Sequence, residues 1–157
     1  MTTLAELRDQ LAEARETLLS LVRDLPQEAF VRPPARGSSD DDERWPVRDV
    51  LWHLGDQEQR WQRWFAAARR GEQLSDFARE RRPSHVSTLP QLLDWVAQWR
   101  DATLELLGDL DAEELARPHR SPRPGDDLSF EQVLGLLVRH ERMHAEQVRA
   151  LLEEPGC

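Results

Sequence analysis

Residues 129–154 carry the clearest helical pattern in the chain: SFEQVLGLLVRHERMHAEQVRALLEE. Ser129 and Gln132 fit a capping box, in which each side chain accepts a hydrogen bond from the other residue's backbone N–H. Aliphatic residues then recur at the three- and four-residue steps of one helix face; they are Val133, Leu137, Val148 and Leu151. The stretch therefore predicts a long amphipathic helix from Ser129 to about Glu154, which Pro155-Gly156 ends.

Two histidines share the apolar face of this helix. His140 and His144 are four residues apart, so their side chains point within about 40° of each other around the axis. Buried imidazoles this close need hydrogen-bond partners or a shared cation. Neutral imidazole binds Zn²⁺, Ni²⁺ and Fe²⁺, so the pair indicates a metal site. The alternative is two core histidines that bond to neighbouring carboxylates.

Three further amphipathic segments precede this helix. They cover about 3–25 and 46–71, and the third begins at Thr88, which opens a second capping box. A short helical turn is predicted at 111–116, and no segment alternates as a strand does. The chain is therefore predicted to be all-α: a four-helix bundle in one domain, 1–157, whose long connections permit either up-and-down or crossover order.

His53 is the third candidate ligand, at the edge of the apolar face of the second helix. Side chains of facing helices converge in a bundle, and metal sites are built in that way. Three histidines leave coordination positions open, which is typical of a catalytic site. His85 and His119 lie in predicted loops and are expected to be solvated, as is the acidic run 40–43.

Residues 140–144 also spell H-E-x-x-H, the zinc-protease pattern. Proteases with that motif take a third ligand downstream and bind their peptide substrate along a strand. No suitable element is predicted after His144, and no strand is predicted anywhere in the chain. We therefore do not interpret the motif as a protease site.

Composition restricts the partners and the compartment. The 157 residues have a formal net charge of −9, with 30 acidic against 21 basic side chains, which argues against nucleic acid as a partner. No apolar run approaches the length of a membrane span, and no signal peptide is visible. The one cysteine, Cys157, excludes an intramolecular disulfide. We expect a cytoplasmic protein without a membrane or nucleic-acid partner.

Two motifs resemble the DinB-like family. Residues 45–54, WPVRDVLWHL, resemble its second-helix signature, and residues 140–148, HERMHAEQV, resemble its last-helix signature. Residues 110–115 resemble its short segment before the last helix, so the resemblance extends over nearly the whole chain. It implies a four-helix bundle, often dimeric, with a three-histidine metal site formed here by His53, His140 and His144.

The resemblance also implies chemistry, because the family includes thiol S-transferases and isomerases that use low-molecular-weight thiols. A divalent metal held by three histidines lowers the pKa of water or of a thiol, which gives hydrolysis or S-transfer. The sequence leaves both reactions open, together with a non-catalytic metal-binding or interaction domain. We expect a small-molecule substrate, with a low-molecular-weight thiol as one candidate.

Several polar residues near the histidines are candidates for supporting roles. Glu141 is the nearest carboxylate on the last helix and is predicted to act either as a general base or as a hydrogen-bonding partner of the metal's ligands. Gln57 and Gln147 are predicted to orient a ligand by hydrogen bonding. An S-transferase further requires a basic pocket for the thiol's carboxylates, for which the candidates are Arg60, Arg63 and Arg142.

Trp52 is predicted to point away from the apolar stripe of the second helix, about 100° from His53. Three explanations fit an outward tryptophan: a lid over the metal pocket, burial against a loop such as the segment around Phe77, or a dimer interface. The family resemblance favours the third. We therefore expect a homodimer with Trp52 at its interface.

Overall fold

The computed structural model of the protein describes residues 2–35 and 44–154. Its elements in chain order are α1 (Leu4–Val22), α2 (Gln27–Val31), α3 (Val47–Arg69), α4 (Leu89–Asp109), α5 (Ala112–Ala116), β1 (Pro118–His119), β2 (Leu128–Ser129) and α6 (Phe130–Glu153). The predicted all-α four-helix bundle is confirmed, with α1, α3, α4 and α6 as its long helices. The predicted acidic loop at 40–43, the Pro155-Gly156 stop and Cys157 lie outside the described residues. None of the described helices is long and apolar enough to cross a membrane.

The long helices begin where their caps predict. Ser129 Oγ accepts a hydrogen bond from the Gln132 N–H at 3.1 Å, and Thr88 Oγ1 accepts one from the Gln91 N–H at 3.4 Å. The sequence did not predict α2, which has five residues and no side-chain cap, or the two strands, which have two residues each. The strands pair antiparallel, with Pro118 opposite Ser129.

The helices follow a crossover order. Helices α1 and α6 are parallel, because the Thr2 N–H at the start of one donates to Glu131 at the start of the other, at 2.9 Å. Helices α3 and α4 are also parallel, since Trp52 stacks on Trp95 near their starts and Gln62 bonds to Thr103 farther along. Helix α3 runs antiparallel to α6. The segment 70–88, which connects α3 to α4, therefore returns along the outside of α3.

The core is divided into two apolar clusters by a layer of charge. One cluster contains the aromatic side chains of Trp61, Trp64, Phe65 and Phe130, and the other packs aliphatic residues around Leu51. In the layer between the two clusters, each long helix places one buried charged residue that bonds to charged residues of its neighbours. We call this set the charged quartet: Arg15 of α1, Glu58 of α3, Arg100 of α4 and Glu141 of α6.

Trp52 does not point outward, so the expectation that it forms a dimer interface is wrong. It is 8% exposed, and its indole stacks on Trp95 with ring centres 4.3 Å apart. Its Nε1–H donates to the Glu80 carbonyl at 2.9 Å. The segment 70–88 and the start of α4 cover this side of α3, so burial against a loop is the correct explanation. The homodimer itself stays a prediction.

Candidate metal centre

Three histidines converge between α3 and α6. Nε2 of His140 lies 3.0 Å from Nε2 of His53 and 2.9 Å from Nε2 of His144. Within the described part of the chain, His53, His140 and His144 are the group of histidine, cysteine or acidic side chains whose ligand atoms lie close enough together to hold a metal ion. His53 and His144 are buried, and His140 is half-buried. The antiparallel course of the two helices brings the early turns of α3 against the second half of α6, which explains the convergence.

Neighbouring side chains hold two of the imidazoles in place. Nδ1 of His144 lies 2.7 Å from Oε1 of Gln147, so that nitrogen donates its proton and Nε2 carries a lone pair. Trp45, just before α3, has its indole 4.8 Å from the His53 ring and 6.4 Å from the His144 ring, measured between ring centres. Gln147 therefore orients an imidazole, as its position next to His144 suggested.

Burial keeps the imidazoles of His53 and His140 uncharged. Burial lowers the pKa of His53 to about 3, with further lowering by His144 and by the guanidinium groups of Arg79 and Arg60. Burial also lowers the pKa of His140 to about 2, helped by both other histidines and the same arginines. At neutral pH these imidazoles are neutral, which is the form that binds a metal ion.

The donor set fits a divalent metal ion. Two nitrogens bound to one tetrahedral ion at 2.0–2.1 Å lie about 3.3 Å apart, close to the 2.9 and 3.0 Å found here. Without an ion, the Nε2 proton of His140 can be shared with only one of its two neighbours at a time. The nitrogens of the other pair then lie in contact without a hydrogen bond, whereas a shared cation can be bound by all three imidazoles at once.

A pocket of about 440 Å³ lies beside His53. Trp45 and Trp52 supply its aromatic walls, and its polar lining comes from α3 and from the segment 70–88: Asp49, Asp56, Arg79, Glu80, Arg81 and Arg82. Arg82 is paired with Asp49 at 2.7 Å. Burial raises the pKa of Asp56, although its neighbour Arg60 opposes the shift.

The arginines of this pocket are not the ones that the sequence suggested. Arg60 bonds to the Phe77 carbonyl at 3.2 Å and pairs with Asp56, and Arg142 is exposed and lies 4.0 Å from Glu13 of α1. The pocket instead takes three arginines within residues 79–82. That cluster was the available signal in the sequence, and it was missed because the segment has no helical period.

Glu141 lies in the core and away from the histidines. Its two carboxylate oxygens accept hydrogen bonds from Arg15 Nε and Arg100 Nη2, each at 2.5 Å, and the residue is 2% exposed. One step along a helix turns the side chain by about 100°, so Glu141 leaves the face that His140 occupies. This placement corrects the expectation that Glu141 acts as a general base at the metal.

The other two histidines are not part of the site. His85 is exposed, as expected for a loop residue. His119 is half-buried in β1 and stacks on Phe130 with ring centres 4.7 Å apart, so the expectation that it is solvated is only partly correct. Gln57 is half-buried on α3.

In this structure an antiparallel pair of helices inside a crossover bundle presents three convergent histidines that could hold a metal ion. A sequence model of the DinB superfamily matches residues 10–148, and the chain therefore belongs to the DinB superfamily. A search of curated proteins gives no significant match.

Solved structures share this fold at low sequence identity. An uncharacterised protein from Escherichia coli UTI89 superposes with a TM-score of 0.75 at 14% identity, covering 98% of this chain and 94% of that one. One from Clostridium difficile 630 gives a TM-score of 0.76 at 13% identity, covering 98% and 97%. YfiT from Bacillus subtilis, described as a probable metal-dependent hydrolase with an unusual four-helix bundle topology, gives 0.62 at 22% identity, covering 94% and 85%.

Proposed function

We propose that this protein is a metal-dependent enzyme, that His53, His140 and His144 bind one divalent ion through Nε2, and that its reaction is hydrolysis of a small molecule. The observation that carries the proposal is the convergence of three imidazole nitrogens beside a pocket. The description of YfiT as a probable metal-dependent hydrolase adds support from the same fold. Zn²⁺, Ni²⁺ and Fe²⁺ all suit three imidazole ligands.

A bound divalent ion would lower the pKa of water or of a thiol, so that hydroxide or thiolate is available near neutral pH. The protein's own residues supply the rest. Gln147 fixes the ring of His144, and Trp45 packs against His53 and His144. The pocket beside His53 has the size and the aromatic walls to hold a small substrate.

S-transfer from a low-molecular-weight thiol is the second candidate. Arg79 and Arg81 line the pocket, and guanidinium groups suit the carboxylates of such a thiol. An assay that offers a thiol and an electrophile together separates the two reactions. Hydrolysis leaves the free thiol concentration unchanged, whereas S-transfer consumes one thiol for each electrophile.

A non-catalytic metal-binding or interaction domain is the alternative to an enzyme. The pocket next to the histidines favours catalysis, because a purely structural metal site needs no room for a substrate. Cytoplasmic location, a small-molecule partner and assembly as a homodimer are parts of the same proposal, and light scattering tests the last of them.

We expect about one divalent ion per chain in protein purified without a histidine tag, and none in stoichiometric amount in the His144→Ala variant, because two imidazoles hold an ion far less tightly than three. His85→Ala is the matched control, since His85 is exposed and outside the site. Elemental analysis of the three proteins measures the effect. Full metal content in His144→Ala would refute the proposed site.

Removal of the metal is expected to leave the fold intact. Two apolar clusters already fill the bundle, so this domain does not depend on metal as a zinc finger does. Far-UV circular dichroism before and after addition of a chelator at room temperature measures helix content. A large loss of the helical signal would contradict this expectation.

A further inference from the structure

The negative charges of the quartet lie on the same two helices as the histidines of the metal centre, and its positive charges lie on the other two long helices. Its glutamates lie on the two helices that carry the histidines, Glu58 on α3 and Glu141 on α6. Its arginines lie on the other two long helices, Arg15 on α1 and Arg100 on α4. All four are 9% exposed or less, with two positive and two negative charges in one layer of the core.

The bonds of the quartet form a closed set. Arg15 donates to Glu141 at 2.5 Å and to Glu58 at 3.4 Å. Arg100 donates to Glu58 at 2.9 Å and to Glu141 at 2.5 Å. Each arginine thus joins both glutamates, and so each ties α3 to α6.

The remaining polar atoms of the quartet are also satisfied. The Nη1 groups of Arg15 and Arg100 donate to the carbonyl oxygens of Val96 and Leu11 at 3.0 and 2.8 Å. The Thr103 hydroxyl donates to Glu58 at 2.6 Å. Burial alone would lower the pKa of Arg100, but the two carboxylates outweigh it and the net shift is upward. Each nitrogen and oxygen atom of the four charged groups therefore has at least one hydrogen-bond partner within the protein.

The quartet lies next to the histidines along both helices. Glu141 directly follows His140, and Glu58 follows His53 by five residues, or about 7.5 Å of helix rise. The apolar contacts between α3 and α6, which include Trp64 and Phe65 against Phe130, are less directional than bonds between charged groups and tolerate small sliding movements. A set of buried charges does not, because any shift leaves a charge without its partner.

We propose that the charged quartet sets the register between α3 and α6 and thereby brings the three histidines together before any metal binds. Arg15, Glu58, Arg100 and Glu141 are positioning residues. The effect of the quartet on metal affinity rests on the metal site proposed above. The register itself can be measured without metal.

The first test compares Glu141→Gln with Leu134→Ala. Glutamine keeps the shape of the Glu141 side chain but removes its negative charge. Leu134 is fully buried on the same helix, in the cluster that contains the aromatic side chains, so Leu134→Ala is the control for destabilisation without loss of charge. We expect Glu141→Gln to weaken Zn²⁺ binding by roughly tenfold or more and to change the visible spectrum of bound Co²⁺. Leu134→Ala should keep the wild-type affinity and spectrum. Wild-type binding and spectrum in folded Glu141→Gln would overturn the proposal.

A fourfold variant covers the case in which Glu141→Gln does not fold: Arg15→Met, Glu58→Leu, Arg100→Met and Glu141→Leu together. Replacing a complete buried ionic set by apolar residues is often neutral or stabilising, so this protein should fold. Its metal affinity should nevertheless fall, because the apolar layer no longer fixes the register. Wild-type affinity in this variant would also overturn the proposal.

Crystal structures of metal-free wild type and of the fourfold variant give the readout that needs no metal. We expect the His53–His140 Nε2 separation to stay near 3.0 Å in the wild type and to change by about 1 Å or more in the variant. An unchanged separation in the variant would refute the positioning role. Wild-type protein that binds no metal, combined with a changed separation, would instead refute the proposed function and support the register inference.

Discussion

Replacing Arg100 with methionine is expected to reduce the free energy of unfolding by about 3–5 kcal/mol. The substitution removes the partner that bonds to both Glu58 and Glu141, and two carboxylates then share Arg15 alone in the core. The Leu11 carbonyl also loses its donor. Removing one member of a buried ionic set costs more than removing the whole set, because the remaining carboxylates, each 2% exposed, have little access to water in place of the lost partner.

Urea unfolding followed by circular dichroism measures this loss, with Arg142→Met as the matched control. Arg142 is exposed and lies 4.0 Å from Glu13, so its removal should cost less than about 1 kcal/mol. A loss below about 1 kcal/mol for Arg100→Met would mean that the quartet is not the buried, hydrogen-bonded unit described above.

Replacing Gly55 with alanine is expected to destabilise the protein by about 1–3 kcal/mol, although alanine is the better helix former by about 1 kcal/mol. A Cβ built on Gly55 lies 2.1 Å from Nε1 and 2.4 Å from Cδ1 of Trp95, far inside van der Waals contact. The indole must therefore move. It then loses its stacking on Trp52 and its hydrogen bond to the Trp52 carbonyl, which measures 3.1 Å.

A double-mutant cycle isolates the role of Trp95. In the background of Trp95→Ala the indole is absent, so Gly55→Ala should become stabilising by about 1 kcal/mol through helix propensity. Thermal or urea unfolding of the four proteins measures the change of sign. If Gly55→Ala lowered the free energy of unfolding equally in wild type and in Trp95→Ala, the destabilisation would not come from a clash with the Trp95 ring.

Local signals in the sequence were sufficient for the helices and for the histidines. Thr88 and Ser129 mark helix starts through side chain–backbone bonds that lie within four residues, so no tertiary information is needed to find them. His140 and His144 share a face by helix geometry alone. His53 could be added because facing helices of a bundle must bring their inner side chains together.

The contacts that involve distant parts of the chain could not be predicted in this way. The inward position of Trp52 depends on Glu80 and Trp95, which lie in a loop and in another helix. Glu141 looked like a ligand-facing carboxylate because its two arginine partners come from helices whose register with α6 the sequence does not state. The sequence did contain a signal for Arg15 and Arg100, since each interrupts an otherwise apolar helix face.

The parallel pairing of α1 with α6 has a consequence for how the chain reaches its native state. Arg15 and Glu141 are separated by 126 positions, and α6, with which α1 packs most extensively, is synthesised after the other three long helices. Contacts this remote in sequence require closure of a large loop, which slows folding relative to bundles whose neighbours are consecutive. Until α6 has been synthesised, the apolar face of α1 lacks the helix against which it packs most extensively. Nascent chains that do not yet extend past about Glu141 are therefore expected to depend on chaperones.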